Sequence, residues 1–124
     1  MRPKPRILLV DDNERLLSAL RRLLEPRAVV DGVSGGSEAL ERIFSGARYD
    51  LILCDVVMPG LTGSAVYEQL ARIAPDQARR LTFMTGGAPE DLLQFARTTG
   101  RPCLEKPFGL LALVEVVDQA SAVS

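Results

Sequence analysis

Short apolar runs alternate with longer amphipathic stretches along the whole chain, and this alternation is the feature that most restricts its fold. The run at 7–10 is continuously apolar, as expected of a strand that is buried on both faces. The other predicted strands lie at 28–33, which Asp31 and Gly32 weaken, and at 49–57 (with 51–54 as the apolar centre), 81–85 and 101–105. Strands that alternate with helices predict a parallel sheet covered by helices on both faces. We therefore predict one α/β domain of five β-α units over residues 1–124.

Local signals mark the ends of the predicted helices. Asp12 or Asn13 can cap the first helix. A helix over residues 65–74 is closed by Pro75, which cannot continue it. The last helix is predicted over residues 108–120, and it carries more apolar residues than one core-facing stripe can hold. This excess indicates a homodimer or docking surface in the last-helix region.

The charge balance and the residue types exclude several classes of function. Acidic residues outnumber basic residues by 16 to 15, so no broad basic field attracts nucleic acid or an anionic membrane. We expect neither of them as a direct partner. The chain contains no histidine, which removes Ser-His and Cys-His nucleophiles and histidine-based zinc sites. Any catalysis or metal binding must therefore depend on carboxylates, hydroxyls and lysines.

The cysteines and the apolar segments indicate the compartment. Cys54 and Cys103 lack a CxxC spacing and fit a reducing environment better than a disulfide framework. The apolar run at 7–10 is too short for a signal peptide, and no stretch approaches the length of a transmembrane helix. We expect a soluble, cytoplasmic protein.

Polar residues stand where four of the predicted strands end. Asp11 and Asp12 follow the first strand, Asp55 ends the third, Thr85 ends the fourth and Lys106 follows the fifth. The carboxyl ends of parallel strands meet at one edge of the sheet, and open α/β sheets bind their ligands there. We therefore expect these five side chains to lie close together.

Three carboxylates, a lysine and a threonine at one edge predict a metal-assisted phosphoryl site. Clustered carboxylates repel one another unless a cation lies between them, and Mg²⁺ prefers one or two carboxylates together with water and a phosphate oxygen. A lysine ammonium and a threonine hydroxyl can both bind phosphoryl oxygens. A carboxylate can also act as the nucleophile that forms an aspartyl phosphate. Each residue alone has a plainer interpretation as a helix cap, a turn residue or a solvated charge, but their joint placement favours the phosphoryl site.

Five segments at these strand ends resemble the receiver domains of response regulators. They are ILLVDD at 7–12, DLILCD at 50–55, VMPG at 57–60, MTG at 84–86 and LEKPF at 104–108. Together they cover essentially the whole chain in the order of that family. The resemblance implies a doubly wound, flavodoxin-like (βα)5 fold with strand order 2-1-3-4-5. The sequences at 84–87 and 103–108 are similar to those of receivers in hybrid sensor kinases. We therefore expect either a free single-domain regulator or a piece of a larger kinase, and we favour the second.

The resemblance also implies roles for the acidic residues. Asp55 would accept a phosphoryl group from a phosphohistidine of a histidine kinase or a histidine phosphotransfer domain. Asp12 would bind Mg²⁺ directly and Asp11 would bind it through water. Asp55 and the backbone carbonyl of Val57 would complete the protein ligands of the metal, and no other cofactor is implied.

Lys106 and Thr85 would respond to the phosphoryl group. Lys106, followed by a cis bond to Pro107, would contact the phosphoryl oxygens, and Thr85 would move toward them with its loop. The implied protein is not an enzyme that acts on a separate substrate. It is a phosphoacceptor that assists its own phosphorylation and dephosphorylation, and its phosphorylation changes partner binding.

The chain departs from the family pattern at three positions. Cys103 stands three residues before Lys106, where many receivers carry an aromatic residue that turns inward. We expect the signal to travel instead through the loops after the fourth and fifth strands. Val57 and Gly87 offer no polar side chain to an attacking water, so access at these positions is expected to set the lifetime of the phosphorylated state. Gly86 and Gly87 lack the GxxxxGK[ST] pattern of a phosphate-binding loop and indicate a flexible loop.

Three other functions are compatible with parts of the sequence. A phosphatase-like hydrolase would turn over an aspartyl phosphate, but Val57 stands where that family carries a second acid. A flavin-binding domain has a similar topology. A receiver fold kept only as a dimerisation scaffold would work without Asp55.

Overall fold

A wholly parallel sheet of five strands runs through the described part of the protein. The computed structural model describes residues 3–123, so Met1, Arg2 and Ser124, which the predicted 1–124 domain includes, lie outside the described residues. The strands are β1 (Arg6–Val10), β2 (Val29–Val33), β3 (Leu51–Asp55), β4 (Leu81–Thr85) and β5 (Cys103–Glu105). Their order in the sheet is β2-β1-β3-β4-β5, which confirms the predicted topology.

Six helices lie in residues 3–123, one more than the sequence predicts. They are α1 (Glu14–Leu24), α2 (Gly36–Phe44), α3 (Gly63–Ile73), α4 (Pro75–Ala78), α5 (Glu90–Thr98) and α6 (Leu110–Val123). The prediction of one helix after each strand was wrong between β3 and β4. Pro75 ends α3 as predicted, but it also opens α4, because proline at the first helical position needs no hydrogen-bonded N–H and already has the helical φ. None of the described helices is long and apolar enough to cross a membrane.

Two predicted starting points near the carboxyl end were wrong by two residues. β5 begins at Cys103 because Pro102, which the prediction included, has no N–H to donate to the sheet. α6 begins at Leu110 because Gly109 is unfavourable inside a helix and stands before the first turn instead. In both cases the strand or helix begins after a residue, Pro102 or Gly109, whose backbone is unfavourable within it.

Two apolar clusters hold the helices against opposite faces of the sheet. Buried side chains of α2, α3 and α5 pack on one face, and those of α1 and α6 pack on the other. All five residues of β3 and all five of β4 are buried. This double burial explains the continuous apolar run LILC at 51–54 in β3.

β2 is an edge strand and accommodates polar residues that a central strand would not. Asp31 lies in its middle, and its Oδ2 accepts a hydrogen bond of 2.9 Å from the Tyr49 hydroxyl. The guanidinium groups of Arg6 and Arg42 lie 3.4 and 3.6 Å from the same oxygen. A charged residue on an edge strand also opposes pairing with another sheet.

Gln77 in α4 anchors the start of β3 through two backbone hydrogen bonds. Its Oε1 accepts from the Tyr49 N–H at 2.8 Å, and its Nε2 donates to the Tyr49 carbonyl at 3.1 Å. The residue is only 4% exposed, so it satisfies two backbone groups that water does not reach. The helix that the sequence did not predict therefore helps to position the strand that ends at Asp55.

We predict that Gln77→Ala lowers the free energy of unfolding by about 2–4 kcal/mol, because it leaves both polar backbone groups of Tyr49 without a partner. Urea unfolding followed by circular dichroism measures the change. Gln94→Ala is the matched control, since Gln94 is exposed on α5, and it should cost less than about 0.5 kcal/mol. Equal losses in the two variants would contradict the role given to Gln77.

Candidate functional site

The register of the sheet brings the predicted polar residues to its carboxyl edge. β1 and β3 pair up to the residues before Asp11 and Asp55, so these two aspartates lie side by side. Asp12 follows directly. Thr85 ends β4 beside the last residue of β5, and its carbonyl accepts a hydrogen bond of 2.6 Å from the Lys106 N–H. The structure thus brings together residues from four strand ends, as the sequence predicts.

Three carboxylates form a cluster at this edge. One oxygen from each of Asp11, Asp12 and Asp55 lies within 4.8 Å of the other two. Asp11 is 1% exposed and Asp55 is 8% exposed, whereas Asp12 is exposed to solvent. The cluster therefore has a buried inner pair and an outer member that faces water.

The Lys106 ammonium lies against the inner pair of carboxylates. Its Nζ is 2.7 Å from Oδ2 of Asp11 and 3.4 Å from Oδ2 of Asp55. The other oxygen of Asp11 accepts a hydrogen bond of 2.9 Å from the Asn13 N–H. Asp11 is thus held at both oxygens, which fixes its orientation toward Asp55.

The charges at the site shift the pKa values of Asp55 and Lys106. Burial raises the pKa of Asp55, the charge of Asp11 raises it further, and Lys106 offsets part of this increase. Burial alone would lower the pKa of Lys106, but its hydrogen bond to Asp11 and the charge of Asp55 outweigh burial and raise it. Lys106 therefore stays cationic beside two carboxylates, and one negative charge of the inner pair lacks a counter-charge.

The donor set fits a hard divalent cation. Mg²⁺ binds oxygen ligands and takes one or two carboxylates while it keeps several waters. The cluster offers carboxylate oxygens only, and its exposed member, Asp12, leaves room for water. A cation there would also offset the repulsion that raises the pKa of Asp55.

The cap of α1 resolves an alternative that the sequence leaves open. Asn13 is the N-cap, and its Oδ1 accepts a hydrogen bond of 3.1 Å from the Leu16 N–H. The capping role therefore belongs to Asn13 and not to Asp12, whose carboxylate belongs to the acidic cluster.

Two glycines that sequence reasoning missed allow close packing at the site. A Cβ on Gly63 would lie 2.4 Å from the Asp55 carbonyl oxygen, so only glycine lets α3 start directly against the residue that bears the carboxylate. A Cβ on Gly86 would lie 3.1 Å from Cβ of Lys106. The sequence interpretation of Gly86 as part of a flexible loop overlooked this contact, because the two residues are far apart in the chain.

The positions that depart from the receiver pattern differ in their surroundings. Val57, two residues after Asp55 at the end of β3, is 41% exposed, and Gly87 has a φ of +74°, which favours glycine. Cys103 is partly buried, and burial raises the pKa of its thiol, so it stays neutral. The peptide bond between Lys106 and Pro107 is cis, which confirms that expectation.

Comparisons with known proteins agree with this geometry. A family model described as the response regulator receiver domain matches residues 7–118. The transcriptional activator protein PfeR of Pseudomonas aeruginosa is 37% identical over 113 residues, which cover 90% of this chain and 36% of that protein. The aerobic respiration control sensor protein ArcB of Escherichia coli is 29% identical over 117 residues, covering 93% of this chain and 15% of that protein. The chain spans about half or less of the length of the curated relatives it matches.

Solved structures show the same likeness. A response regulator receiver domain protein from Clostridium thermocellum has a TM-score of 0.84 and 25% identity, with coverage of 96% of this chain and 95% of that one. The receiver domain of a signal transduction histidine kinase from Syntrophus aciditrophicus has a TM-score of 0.83 and 26% identity, with coverage of 96% and 91%. The family match extends over nearly the whole chain. The chain belongs to the response-regulator receiver domains of two-component signalling systems.

Proposed function

We propose that Asp55 accepts a phosphoryl group from a phosphohistidine of a histidine kinase or a histidine phosphotransfer domain, in a reaction that depends on Mg²⁺. One observation carries the proposal. A buried carboxylate at the carboxyl edge of a parallel sheet lies within 3.4 Å of a lysine ammonium and within 4.8 Å of two further carboxylates. This combination suits transfer of an anionic group to an aspartate.

In the proposed step, an oxygen of Asp55 attacks phosphorus, the phosphorus–nitrogen bond of the donor breaks, and an aspartyl phosphate forms. Lys106 already points at Asp55 and donates to the incoming oxygens. The carboxylates of Asp11, Asp12 and Asp55 and the Val57 carbonyl would hold Mg²⁺, which would supply the positive charge that lets the anionic donor approach the carboxylates.

The phosphorylated state differs from the free state chiefly in charge. A phosphoryl group brings about −1.5 to −2 charges to an edge that already carries excess negative charge. Lys106 must then divide its hydrogen bonds between Asp11 and the phosphoryl oxygens. Thr85, which is 5% exposed beside Lys106, is the hydroxyl that we expect to move toward the new group. The resulting shift of the β4–α5 loop changes the surface offered to partners.

In this proposal the chain acts as a switch and not as an enzyme with a separate substrate. A phosphatase-like hydrolase would need a second acid two residues after Asp55, and Val57 stands there. A dimerisation scaffold would not need Asp11, Asp55 and Lys106 at contact distances. Autodephosphorylation with assistance from the site itself belongs to the proposal.

The longer relatives and the free cysteines support proposals about attached segments and about the cellular compartment. Because the relatives are longer, we propose that any attached segment of a longer protein, and not this domain, would contact nucleic acid. Cys54 and Cys103 are both free thiols, which suits the reducing cytoplasm. We place the domain there, with no direct binding to a membrane.

The first functional prediction concerns the phosphoacceptor. Beryllofluoride, a stable mimic of a phosphoryl group, should with Mg²⁺ raise the free energy of unfolding by about 2.7 kcal/mol at a concentration 100 times its Kd. Asp55→Asn should abolish this gain, because the carboxylate oxygen that binds beryllium is gone. Thermal unfolding with and without both reagents measures it.

Asp76→Asn is the matched control, since Asp76 is exposed on α4 and pairs with Arg48 at 3.5 Å. It should respond as the unchanged chain does. An unchanged chain that ignores beryllofluoride and a small phosphodonor would contradict the proposed function.

A second prediction concerns the lifetime of the phosphorylated state. A polar side chain at Val57 or Gly87 should guide an attacking water and speed hydrolysis about tenfold, which corresponds to about 1.4 kcal/mol of barrier. The variants are Val57→Asn and Gly87→Asn, because asparagine tolerates a positive φ. Loss of radiolabelled phosphate from the protein measures the rate.

Val29→Asn is the control for that experiment. Val29 is 48% exposed, close to the 41% of Val57, but it lies on the edge strand β2. Its substitution should leave hydrolysis unchanged. The same hydrolysis rate in all of these variants would show that access at positions 57 and 87 does not limit the lifetime.

We also propose a homodimer through the last-helix region. Leu110 and Leu111 are 54% and 80% exposed at the start of α6, and no acidic residue stands in its first turn. Apolar side chains on one patch can pair with the same patch of a second copy about a twofold axis. The sequence leaves open a homodimer or a docking surface in this region, and of the two we propose the homodimer.

Leu111→Glu should weaken this dimer at least about tenfold, because it places a charge in the shared apolar contact. Sedimentation velocity with and without beryllofluoride and Mg²⁺ measures the mass. Ile73→Glu is the control, since Ile73 is 58% exposed on α3, on the opposite face of the sheet. A monomer under both conditions would contradict the dimer.

A further inference from the structure

A cavity lies at the amino edge of the sheet, at the opposite end of the strands from Asp55. It is formed by the starts of β3, β4 and β5 together with the later turns of α6. Its volume of about 420 Å³ is within the range of small-molecule sites. The proposed phosphorylation uses none of the residues that line it, so the cavity has no role in that reaction.

Three arginines line this cavity without a matching set of carboxylates. The arginines are Arg79, Arg80 and Arg101. The one acidic residue of the lining, Asp50, already accepts a hydrogen bond of 2.8 Å from the Arg6 N–H. Within residues 3–120, none of the three guanidinium groups forms an ion pair with a carboxylate. The lining therefore carries an excess of two positive charges in a chain whose net charge is −1, and such a cleft attracts an anion.

The fold fixes the position of Arg101. Its Nε donates a hydrogen bond of 2.8 Å to the Leu81 carbonyl, and its backbone N–H donates one of 3.1 Å to Oγ1 of Thr99. Burial lowers the pKa of the guanidinium, as expected where no carboxylate offsets the loss of water. The group still remains cationic, because arginine keeps its proton in proteins. Since Nε is occupied by the protein, the two terminal nitrogens are the donors left for an oxyanion.

Arg79 and Arg80 come from the turn that follows α4. The Arg80 N–H donates to the Gln77 carbonyl, and the Arg80 carbonyl accepts from the Ile52 N–H, both at 2.9 Å. The backbone of this turn is therefore held by α4 and β3 before any ligand binds. Such preorganisation lowers the entropic cost of binding.

The rest of the lining is largely apolar. Leu51 belongs to the cluster between the sheet and α6, and Val116 and Ala120 come from α6 itself, one turn apart. Thr82 shares this face of the sheet with Met84, because the two residues are two positions apart in β4. Thr82 is only 4% exposed, and it adds a hydroxyl that can donate a hydrogen bond. The cavity thus offers cationic groups on one side and an apolar wall on the other.

We propose that this cavity binds a small organic phosphate, with the phosphate group held by Arg79, Arg80 and Arg101 and the apolar body packed against α6. A phosphate group of this kind carries about −1.5 to −2 charges at neutral pH, which matches the two excess positive charges better than a single carboxylate does. Planar guanidinium groups also fit the geometry of phosphate oxygens and bind them in pairs. The site is separate from Asp55 and does not depend on the proposed phosphorylation.

Phenylphosphonate is the probe, because its carbon–phosphorus bond prevents transfer of the phosphoryl group to Asp55. Titration without Mg²⁺, followed by amide NMR, should give saturable shifts at residues 79–82 and 101–103, with a Kd of about 1 mM or lower for a ligand of this size. Inorganic phosphate lacks the apolar body and benzoate carries a single negative charge, so each should bind at least about fivefold more weakly. Equal affinity for phenylphosphonate and either of these two compounds would overturn the inference.

Substitutions of the arginines test their role. Arg101→Gln should weaken binding about tenfold, the loss expected when a hydrogen bond to a charged group is removed. Arg79→Gln should weaken it about fivefold, because the charge of an exposed arginine is screened by water. Arg79 lies on the surface, so its variant folds even if loss of the Leu81 contact unfolds Arg101→Gln.

Arg72→Gln is the matched control, since Arg72 is exposed on α3, on the opposite face of the sheet from α6. It should bind phenylphosphonate as the unchanged chain does. Full affinity in Arg79→Gln would overturn the inference.

The phosphoacceptor variant separates this site from the proposed function. Asp55→Asn should bind phenylphosphonate with unchanged affinity, although it loses the response to beryllofluoride. A chain that responds to beryllofluoride but gives no saturable shifts with phenylphosphonate would overturn the cavity site alone. Shifts confined to residues 11–12, 55 and 85–87 would place the anion at the carboxyl edge and would overturn it as well.

Discussion

The contact of one lysine ammonium with two buried carboxylates is the interaction on which the rest of the site depends. Lys106 lies 2.7 Å from Asp11 and 3.4 Å from Asp55. Two carboxylates beside a single cation keep excess negative charge in a poorly hydrated place, which raises the pKa of Asp55 and suits the edge to a metal ion. The surrounding backbone serves this contact. Gly86 lets Lys106 approach, and Gly63 lets α3 begin directly against Asp55.

The two edges of the sheet carry different groups. At the amino edge, Gln77 satisfies both backbone groups of Tyr49. At the carboxyl edge, three carboxylates gather beside one lysine, and the loop glycines Gly60 and Gly87 have positive φ angles. Parallel sheets place their ligands at the carboxyl edge because all strand ends and their loops meet there. A phosphoryl group at Asp55 would thus act at the edge where the strand ends and their loops meet.

The departures from the receiver pattern concern the response to the phosphoryl group more than its acceptance. The groups proposed for acceptance, among them Asp55 and Lys106, are all present. Cys103 and Val57 alter the surroundings in which a phosphorylated Asp55 would be sensed and hydrolysed.

The sequence by itself determined the parallel sheet, five of the six described helices and the polar residues that meet at its carboxyl edge. Continuous apolar runs and polar residues at strand ends are local patterns, and they need no knowledge of distant contacts. Only the tertiary structure decided that Asn13 and not Asp12 caps α1, that Gln77 anchors β3 from an additional helix, and that Gly63 is required beneath the loop after Asp55. Each of these depends on which atoms lie within a few ångströms after folding. The ion pair between Lys106 and Asp11 joins residues 95 positions apart, so packing alone could fix its geometry.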